Sequence, residues 1–337
     1  MFSGPRRRSG ASRVSAEREL LSRLLAGPVS GDALARDAGL TRAAMWKRIE
    51  SLREAGVRID AKAGRGYALA EPLTLLDANA MERALAPACR AGLAALEVAW
   101  SLDSTNSELL RRDTPAQGAA VLLAEQQTGG RGRRGRHWAS PVAANLYLSL
   151  ARHFSGGLAR LGGLSLVAGI ATAEALRALG FAGVGLKWPN DLMADDRKLG
   201  GVLVEGGGEH GGPVRAIIGI GINVRMPSTF AARIDQPWID LATLRESEPV
   251  ADRNTLAVAL LSRLLPALDE FDRDGLAPFL ARFASLDVLA GREVAIRDPR
   301  QTRHGVAGGL AGDGALRVLV DGAWESVHAG EISVRAQ

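Results

Sequence analysis

Residues 125–136, Glu-Gln-Gln-Thr-Gly-Gly-Arg-Gly-Arg-Arg-Gly-Arg, hold four arginines and four glycines. Arginine carries fixed charge and a planar fork of donors that fits carboxylate and phosphate. The interleaved glycines admit positive φ and a close approach of backbone to ligand. A solvated basic turn is the plainer alternative. Glycine at every second or third position instead favours a loop that binds an anion and then encloses it. A second candidate is Lys187, in Gly185-Leu186-Lys187-Trp188-Pro189-Asn190-Asp191. It stands in an apolar, strand-like setting, and a buried ammonium is costly unless paired. A salt bridge to Asp191 and an anionic ligand both meet that need. Ser104, Thr105 and Asn106 either cap the helix that follows or line a pocket. Gly219 and Gly221 alternate within strand 214–224, leaving a bare face against which a flat ligand could lie.

One motif must be set aside. Gly130-x-Gly132-x-x-Gly135 matches the dinucleotide fingerprint, but that pattern has to open a helix and be followed by an acidic residue about 20 positions on. Here 145–150 alternates like a strand, and no Asp or Glu occurs between Arg136 and Leu166.

The elements that must position these residues follow from periodicity and punctuation. Residues 121–124 form a buried strand leading into the Arg-Gly loop, and 96–100 a strand leading into Ser104. A helix is expected over 107–112. The longest helix is expected over 158–179, almost wholly apolar and so buried. Residues 192–193 and 199–205 flank the 195–198 turn as a hairpin. Glycine-rich 206–212 is a flexible turn, and 256–271 and 276–283 are amphipathic helices. After Gly291 come short strands at 293–296, 306–310, 316–320, 324–328 and 332–334, a small SH3-like barrel.

At the other end, helices are expected over 17–26, 33–38 and 42–55, with Thr41 capping the third. Leu40, Ala44, Ile49 and Leu52 would face inward, leaving Arg42, Lys47 and Arg48 outward. A hairpin over 57–69 follows, its tip carrying Arg65. This is the winged helix-turn-helix arrangement. Residues 1–70 hold 14 Lys and Arg against 7 Asp and Glu, leaving 28 against 30 in the remainder. The whole net charge of +5 therefore comes from the first fifth of the chain. A small basic domain on a near-neutral body is the footprint of nucleic-acid binding rather than of protein contacts alone.

The 337 residues, 47% hydrophobic and 23% charged, suffice for two or three domains with their own cores. No unbroken apolar run reaches the roughly 18 residues of a membrane span. The basic start, 1–13, lacks the apolar segment of a secretory signal. A single cysteine, Cys89, excludes an internal disulfide, and with five scattered histidines no zinc cluster has the usual spacing. A cytoplasmic protein is expected. The domain plan is a disordered arm over 1–16, a winged helix over 17–70, a linker over 71–86, a central domain over 87–285 and a C-terminal domain over 286–337.

Three segments, Asp103-Ser104-Thr105-Asn106, the 130–136 loop and Lys187-Trp188-Pro189-Asn190-Asp191, closely resemble the biotin–protein ligases. Gly219-x-Gly221-Ile222-Asn223 and Gly330-Glu331-Ile332 match that family too. With the winged helix, the chain resembles its bifunctional type, ligase and biotin-operon repressor in one. The resemblance implies an α+β multidomain fold: an N-terminal winged helix-turn-helix, a central mixed β-sheet with flanking helices, and a C-terminal SH3-like β-barrel. It implies that biotin and ATP form biotinyl-5′-adenylate with Mg²⁺, and that biotin passes to one lysine of the biotin carboxyl carrier protein of acetyl-CoA carboxylase. It implies Ser104, Thr105, Asn106 and Gln127 at the ureido end and ring system of biotin. Arg131, Gly132 and Arg133 would form the closing loop, and Lys187 would contact the carboxylate and α-phosphate. Trp138, Asn190 and Asn223 would lie near the nucleotide. Asp191 either orients Lys187 or helps hold the metal. An adenylate-dependent homodimer on operator DNA of the biotin biosynthesis genes completes the picture. The alternatives are a biotin-sensing regulator without ligase activity and a lipoate-ligase type. Lys187 with the whole loop counts against the first, and the Arg-Gly loop against the second.

Overall fold

The structure, a computed structural model, describes residues 10–62, 64–155, 157, 161–208, 214–245, 252–297, 302–329 and 333–336. Gly330-Glu331-Ile332 and most of the 206–212 turn lie outside the described residues.

The N-terminal unit is built from α1 (Gly10–Leu25), α2 (Gly31–Asp37), α3 (Arg42–Glu54), β1 (Ile59–Lys62) and β2 (Gly66–Leu69). Helix α1 starts at Gly10, seven residues before the expected 17, inside the stretch assigned to a disordered arm. Ser30 and Thr41 cap α2 and α3, accepting from the Ala33 and Ala44 amides. That fixes the helix-turn-helix bend locally. Helix α3 buries Met45, Ile49 and Leu52; Met45, not Ala44, faces the core, while Ala44 is half-buried. β1 and β2 pair antiparallel as the wing. Trp100, Val142 and Ala143 of the central unit share this unit's apolar cluster, and the Val142 amide donates to the Ala55 carbonyl at 2.8 Å.

Residues 71–86, expected as a linker, carry α4 (Ala78–Ala84) and bury Leu76, Met81 and Leu85 in the main core. Next come α5 (Pro87–Ala91), β3 (Leu93–Leu102), α6 (Thr105–Arg111), β4 (Ala119–Gln127), β5 (Leu146–Phe154), α7 (Leu161–Ala178), β6 (Gly185–Lys187), β7 (Asp191–Ala194), β8 (Arg197–Gly208) and β9 (Val214–Ile222). The seven strands form one sheet in the order β3-β4-β5-β9-β8-β7-β6. Only β3 and β4 run parallel, and α6 makes the crossover that parallel neighbours require. Short α8 (Ser228–Ala231) and α9 (Leu241–Leu244) precede α10 (Arg253–Asp274) and α11 (Leu280–Ala284). At 22 residues α10 is longer than α7, at 18, so the expected rank of these helices reverses. Helix α7 is long and apolar enough to span a membrane by length and composition alone, yet Leu164, Val167, Ile170 and Ala171 are buried in the core.

Strand alternation separates the two faces of the sheet. Leu146, Leu148 and Leu150 of β5 join Ile218, Ile220 and Ile222 of β9 in the core beneath α7 and α10. The residues between them, Tyr147, Ser149, Gly219 and Gly221, point to the opposite face, where α6 packs.

A buried ion pair ties α10 to β4: Arg253 donates to Glu125 at 2.7 Å, with the two side chains 5% and 3% exposed. The other Glu125 oxygen accepts from the Leu76 amide at 2.6 Å, and Arg253 also donates to the Thr74 carbonyl at 2.7 Å. Such a pair is tolerable in low dielectric only when its remaining donors and acceptors are met, as they are here. It pins the stretch leaving the winged helix onto the central unit.

The C-terminal strands β10 (Glu293–Arg297), β11 (Thr302–Leu310), β12 (Leu316–Val320), β13 (Ala323–Val327) and β14 (Ser333–Ala336) form an antiparallel sheet in the order β13-β12-β11-β10-β14. Among the described residues no pairing joins β13 to β14, so the expected SH3-like barrel is an open sheet here. Trp188 Nε1 donates to the Gly314 carbonyl at 3.0 Å and Arg292 pairs with Asp196 at 2.5 Å, seating this unit beside the central sheet.

Candidate active site

The glycine-bearing face opens into a cavity of about 890 Å³. Its lining includes Ser104, Thr105, Asn106, Gln127, Arg131, Gly132, Arg133, Trp138, Lys187, Asn190 and Asn223. All the central residues singled out from the sequence therefore converge on one site.

Its floor is a continuous polar network. Ser104 caps α6, and Gln127 Oε1, at the end of β4, accepts from the Thr105 amide at 2.9 Å and hydroxyl at 3.1 Å. Ser149 lies 2.7 Å from the Thr105 hydroxyl and 2.6 Å from Asn106 Oδ1; its one proton serves one of them at a time. Asn106 Nδ2 donates to Glu205 Oε2 at 2.8 Å, and Arg131 of the loop donates to Glu205 Oε1 at 2.8 Å. Glu205 thus joins the floor to the loop. Two glycines make room. A Cβ on Gly219 would run into the Asn106 amide, and one on Gly221 would sit 2.7 Å from the Trp138 indole. The bare strand face expected from the alternating glycines is filled by these two side chains rather than left open.

The loop folds back on itself. Gly132 N donates to Arg136 O at 2.7 Å, and Arg131 bridges to His137. Arg134 takes a left-handed φ of 58°, and Arg133 Nη1 reaches Asn190 Oδ1 at 3.1 Å. Burial and then the Arg134 charge pull the Arg133 guanidinium below its ordinary pKa, with Asp191 opposing. Those contacts hold the loop over the cavity with cations facing in.

The far wall is β6, the turn after it and β7. Leu186 is buried in the core and Lys187, its neighbour, lines the cavity, as strand alternation requires. Lys187 and Asp191 lie opposite each other in the β6–β7 register. The Asp191 carboxylate accepts from Lys198 Nζ at 2.6 Å, a partner that sequence spacing does not reveal. Lys198 Nζ also sits 5.7 Å from the Trp138 ring centroid. Asn190 donates to the Val202 carbonyl at 2.8 Å. The Asn223 amide donates to Ile239 O at 3.1 Å, so it braces the wall as well as lining it. Arg131, Arg133, Arg134, Arg136, Lys187, Lys198, Arg233 and Arg292 line the cavity against Asp191, Asp196 and Asp235. That excess of fixed positive charge suits a polyanion.

Glu205, Ser149 and Lys198 were not expected from the sequence. The signal for the first two was present: each is a polar residue on the face of its strand opposite the core residues. In the winged helix, Arg42, Lys47 and Arg65 are exposed and Arg48 is half-exposed, away from the central cavity.

A polar-floored, cationic cavity under an Arg-Gly loop, on a mixed sheet behind a winged helix, marks a protein that binds an anionic ligand in its central unit and carries a helix-turn-helix module beside it. The description "Biotin/lipoate A/B protein ligase family" matches residues 98–223, "HTH domain" residues 17–68 and "Biotin protein ligase C terminal domain" residues 290–335. The chain belongs to the biotin protein ligase family, of the bifunctional ligase/repressor type. It is 42% identical to the bifunctional ligase/repressor BirA of Escherichia coli over 91% of this chain and 93% of that one. It is 33% identical to the biotin–[acetyl-CoA-carboxylase] ligase of Mycobacterium tuberculosis over 70% of this chain and 88% of that one. Among solved structures, the Aquifex aeolicus biotin protein ligase in complex with biotin and ATP is 27% identical, with a TM-score of 0.60, covering 73% of this chain and 99% of that one.

Proposed function

We propose that this chain joins biotin to ATP as biotinyl-5′-adenylate and transfers biotin to one lysine of the biotin carboxyl carrier protein of acetyl-CoA carboxylase. With adenylate bound it acts, as a homodimer, as a repressor of the biotin biosynthesis genes. The observation that carries the ligase reading is the convergence of the Arg-Gly loop, Lys187 and the Ser104-Thr105-Asn106-Gln127 floor on one cavity. The alternative is a sensor without catalysis, and the presence of both Lys187 and the whole Arg-Gly loop on the cavity counts against it.

In the first step a biotin carboxylate oxygen attacks the α-phosphorus, the bond to the bridging β-phosphate oxygen breaks, and pyrophosphate leaves. In the second the uncharged lysine amine attacks the acyl carbon, AMP leaves, and the amine gives one proton to solvent. The first step brings two anions together, so fixed cations dominate the lowering of its barrier. Lys187 holds the carboxylate and α-phosphate in contact, and Arg131, Gly132 and Arg133 close over them. No protein nucleophile is required. Ser104, Thr105, Asn106 and Gln127 take the ureido end, and Trp138, Asn190 and Asn223 border the nucleotide. An ordered loop also shields the mixed anhydride from water. Among the described residues no group of three or more His, Cys, Asp and Glu gathers to hold a metal. Asp191, which lines the cavity, would be the carboxylate to help hold Mg²⁺ together with the ATP phosphates, and the ion would supply neutralisation of phosphate charge. The other role open to Asp191 would be to orient Lys187.

The test is to incubate the protein with ATP, Mg²⁺, biotin and a biotin-acceptor domain. One lysine becomes labelled, and lipoate does not replace biotin. An intact acceptor left unlabelled rejects the ligase reading. Adenylate that leaves affinity for the organism's own biotin-gene promoter unchanged rejects the repressor reading.

A further inference from the structure

Helix α3 carries an exposed tryptophan that the packing of the winged helix does not explain. Trp46 is 51% exposed, while its neighbours Met45 and Ile49 are buried. Among the described residues, Leu25, Leu110 and Val306 are the other exposed large hydrophobics at 36%, together with Trp324 at 53%. Trp324 is covered on one face by Arg317, whose guanidinium lies 4.5 Å from the ring centroid, and it packs on Gly308. Among the described residues Trp46 has no such cation or ring contact. A single exposed apolar side chain is ordinary on a protein surface. What sets this one apart is its place: one helical turn after Arg42 and next to Lys47, on the outward face of the second helix of a helix-turn-helix. The first turns of that helix are the part that meets base edges.

We infer that Trp46 is a specificity-determining residue that reads thymine in the major groove of operator DNA. The inference rests on the repressor reading above. In that groove thymine alone presents a C5-methyl group, the one apolar feature of the floor, next to the O4 acceptor. Indole is a broad apolar plate with a single N–H donor and no acceptor. It matches methyl plus acceptor, and it has nothing to offer the N4 donor of cytosine. The basic surround, Arg42 and Lys47, supplies phosphate attraction without sequence preference. Trp46 adds the base-selective contact.

The experiment uses full-length protein with biotin, ATP and Mg²⁺, and duplexes from the organism's biotin-gene promoter made with either thymine or uracil. Uracil removes only the methyl group. Wild-type protein is expected to bind the uracil duplex about five- to tenfold more weakly. Trp46→Ala is expected to lose a similar factor on thymine DNA and to discriminate far less against uracil. Trp46→Phe, which keeps an apolar ring, retains most of the discrimination. Equal uracil sensitivity in wild type and Trp46→Ala, with adenylate-dependent binding intact, overturns the assignment and leaves the repressor reading standing. A Trp46→Ala protein whose DNA-free sedimentation changes while its base preference does not also overturns it, because the indole then covers a protein contact. Adenylate-independent DNA affinity in every variant instead removes the repressor reading itself.

Discussion

Strands β5 and β9 show two opposite uses of one backbone. Toward α7 and α10 they present Leu146, Leu148, Leu150, Ile218, Ile220 and Ile222, all buried in the main core. Toward α6 they present Tyr147, Ser149, Gly219 and Gly221, beneath Asn106, Trp138 and the cavity. The first face is filled to exclude water. The second is cleared by glycine to seat Asn106 and Trp138, and is wired by hydrogen bonds. The difference teaches that the site draws its shape from glycines and hydrogen-bonded polar side chains rather than from aliphatic packing, while the aliphatic side of the same strands supplies the rigidity that holds them. Damage to the two faces should therefore separate into stability and function.

The largest effect is expected from Leu148→Ala on the core face. Removing a fully buried leucine costs about 2–5 kcal/mol of folding stability. Urea unfolding should report that loss, while the KM for biotin of the folded fraction stays near the wild-type value. A large KM change with unaltered stability would erase the division between faces.

On the other face, Gly219→Ala drives a methyl into Asn106, an overpacking worth about 1–3 kcal/mol. Because Asn106 belongs to the proposed biotin floor, the loss should appear in biotin affinity, roughly five- to hundredfold by calorimetry. Unchanged affinity would mean that the floor has been misplaced. A smaller effect is expected from Glu205→Gln, which keeps an acceptor for Asn106 but removes the charge facing half-exposed Arg131. A pair of that exposure is worth about 1 kcal/mol at most, so adenylate should dissociate a few-fold faster in a pulse-chase. No change in that rate would detach Glu205 from the loop.

The smallest effect is a matter of pH. The Arg111 guanidinium, bonded to Asp103 at 2.8 Å through both of its oxygens, lowers the Asp103 carboxyl to about 2. A carboxyl depressed by folding stabilises the native state above its unfolded value of 3.8, and that contribution disappears as pH falls through about 2. The pair is largely exposed and screened by salt, so its size is modest. The Tm difference between wild type and Asp103→Asn should be measurable at pH 5 and gone by about pH 2. A difference that persists at the acid end would mean the carboxylate acts by something other than its charge.

The core face was the more legible of the two in the sequence, since alternation and 3.6-residue periodicity are local. The helix-turn-helix was readable for the same reason: Ser30 and Thr41 are caps whose partners lie three residues on. Helix α10 exceeds the expected 256–271 at both ends because the apolar stripe marks only its buried middle; its start is set by Asp252, whose side chain accepts from the Asn254 and Thr255 amides. The residue types of the site were legible in Lys187 and in the loop. Its wiring was not. Glu205 meets Arg131 across 74 positions and Asn106 across 99, and Trp138 fills the space over Gly221. Such contacts depend on strand order and register, which spacing along the chain does not disclose.

The central claim is that the glycine-bearing face is an adenylating site in which Lys187 steadies the meeting of two anions. Biotin-dependent exchange of pyrophosphate into ATP, without any carrier protein, measures that step alone. The wild-type protein is expected to support exchange with biotin and not with lipoate. Lys187→Ala should lose about a hundredfold or more of that rate while melting at an unchanged temperature. Near-normal exchange by Lys187→Ala, or equal exchange with lipoate, would contradict the account.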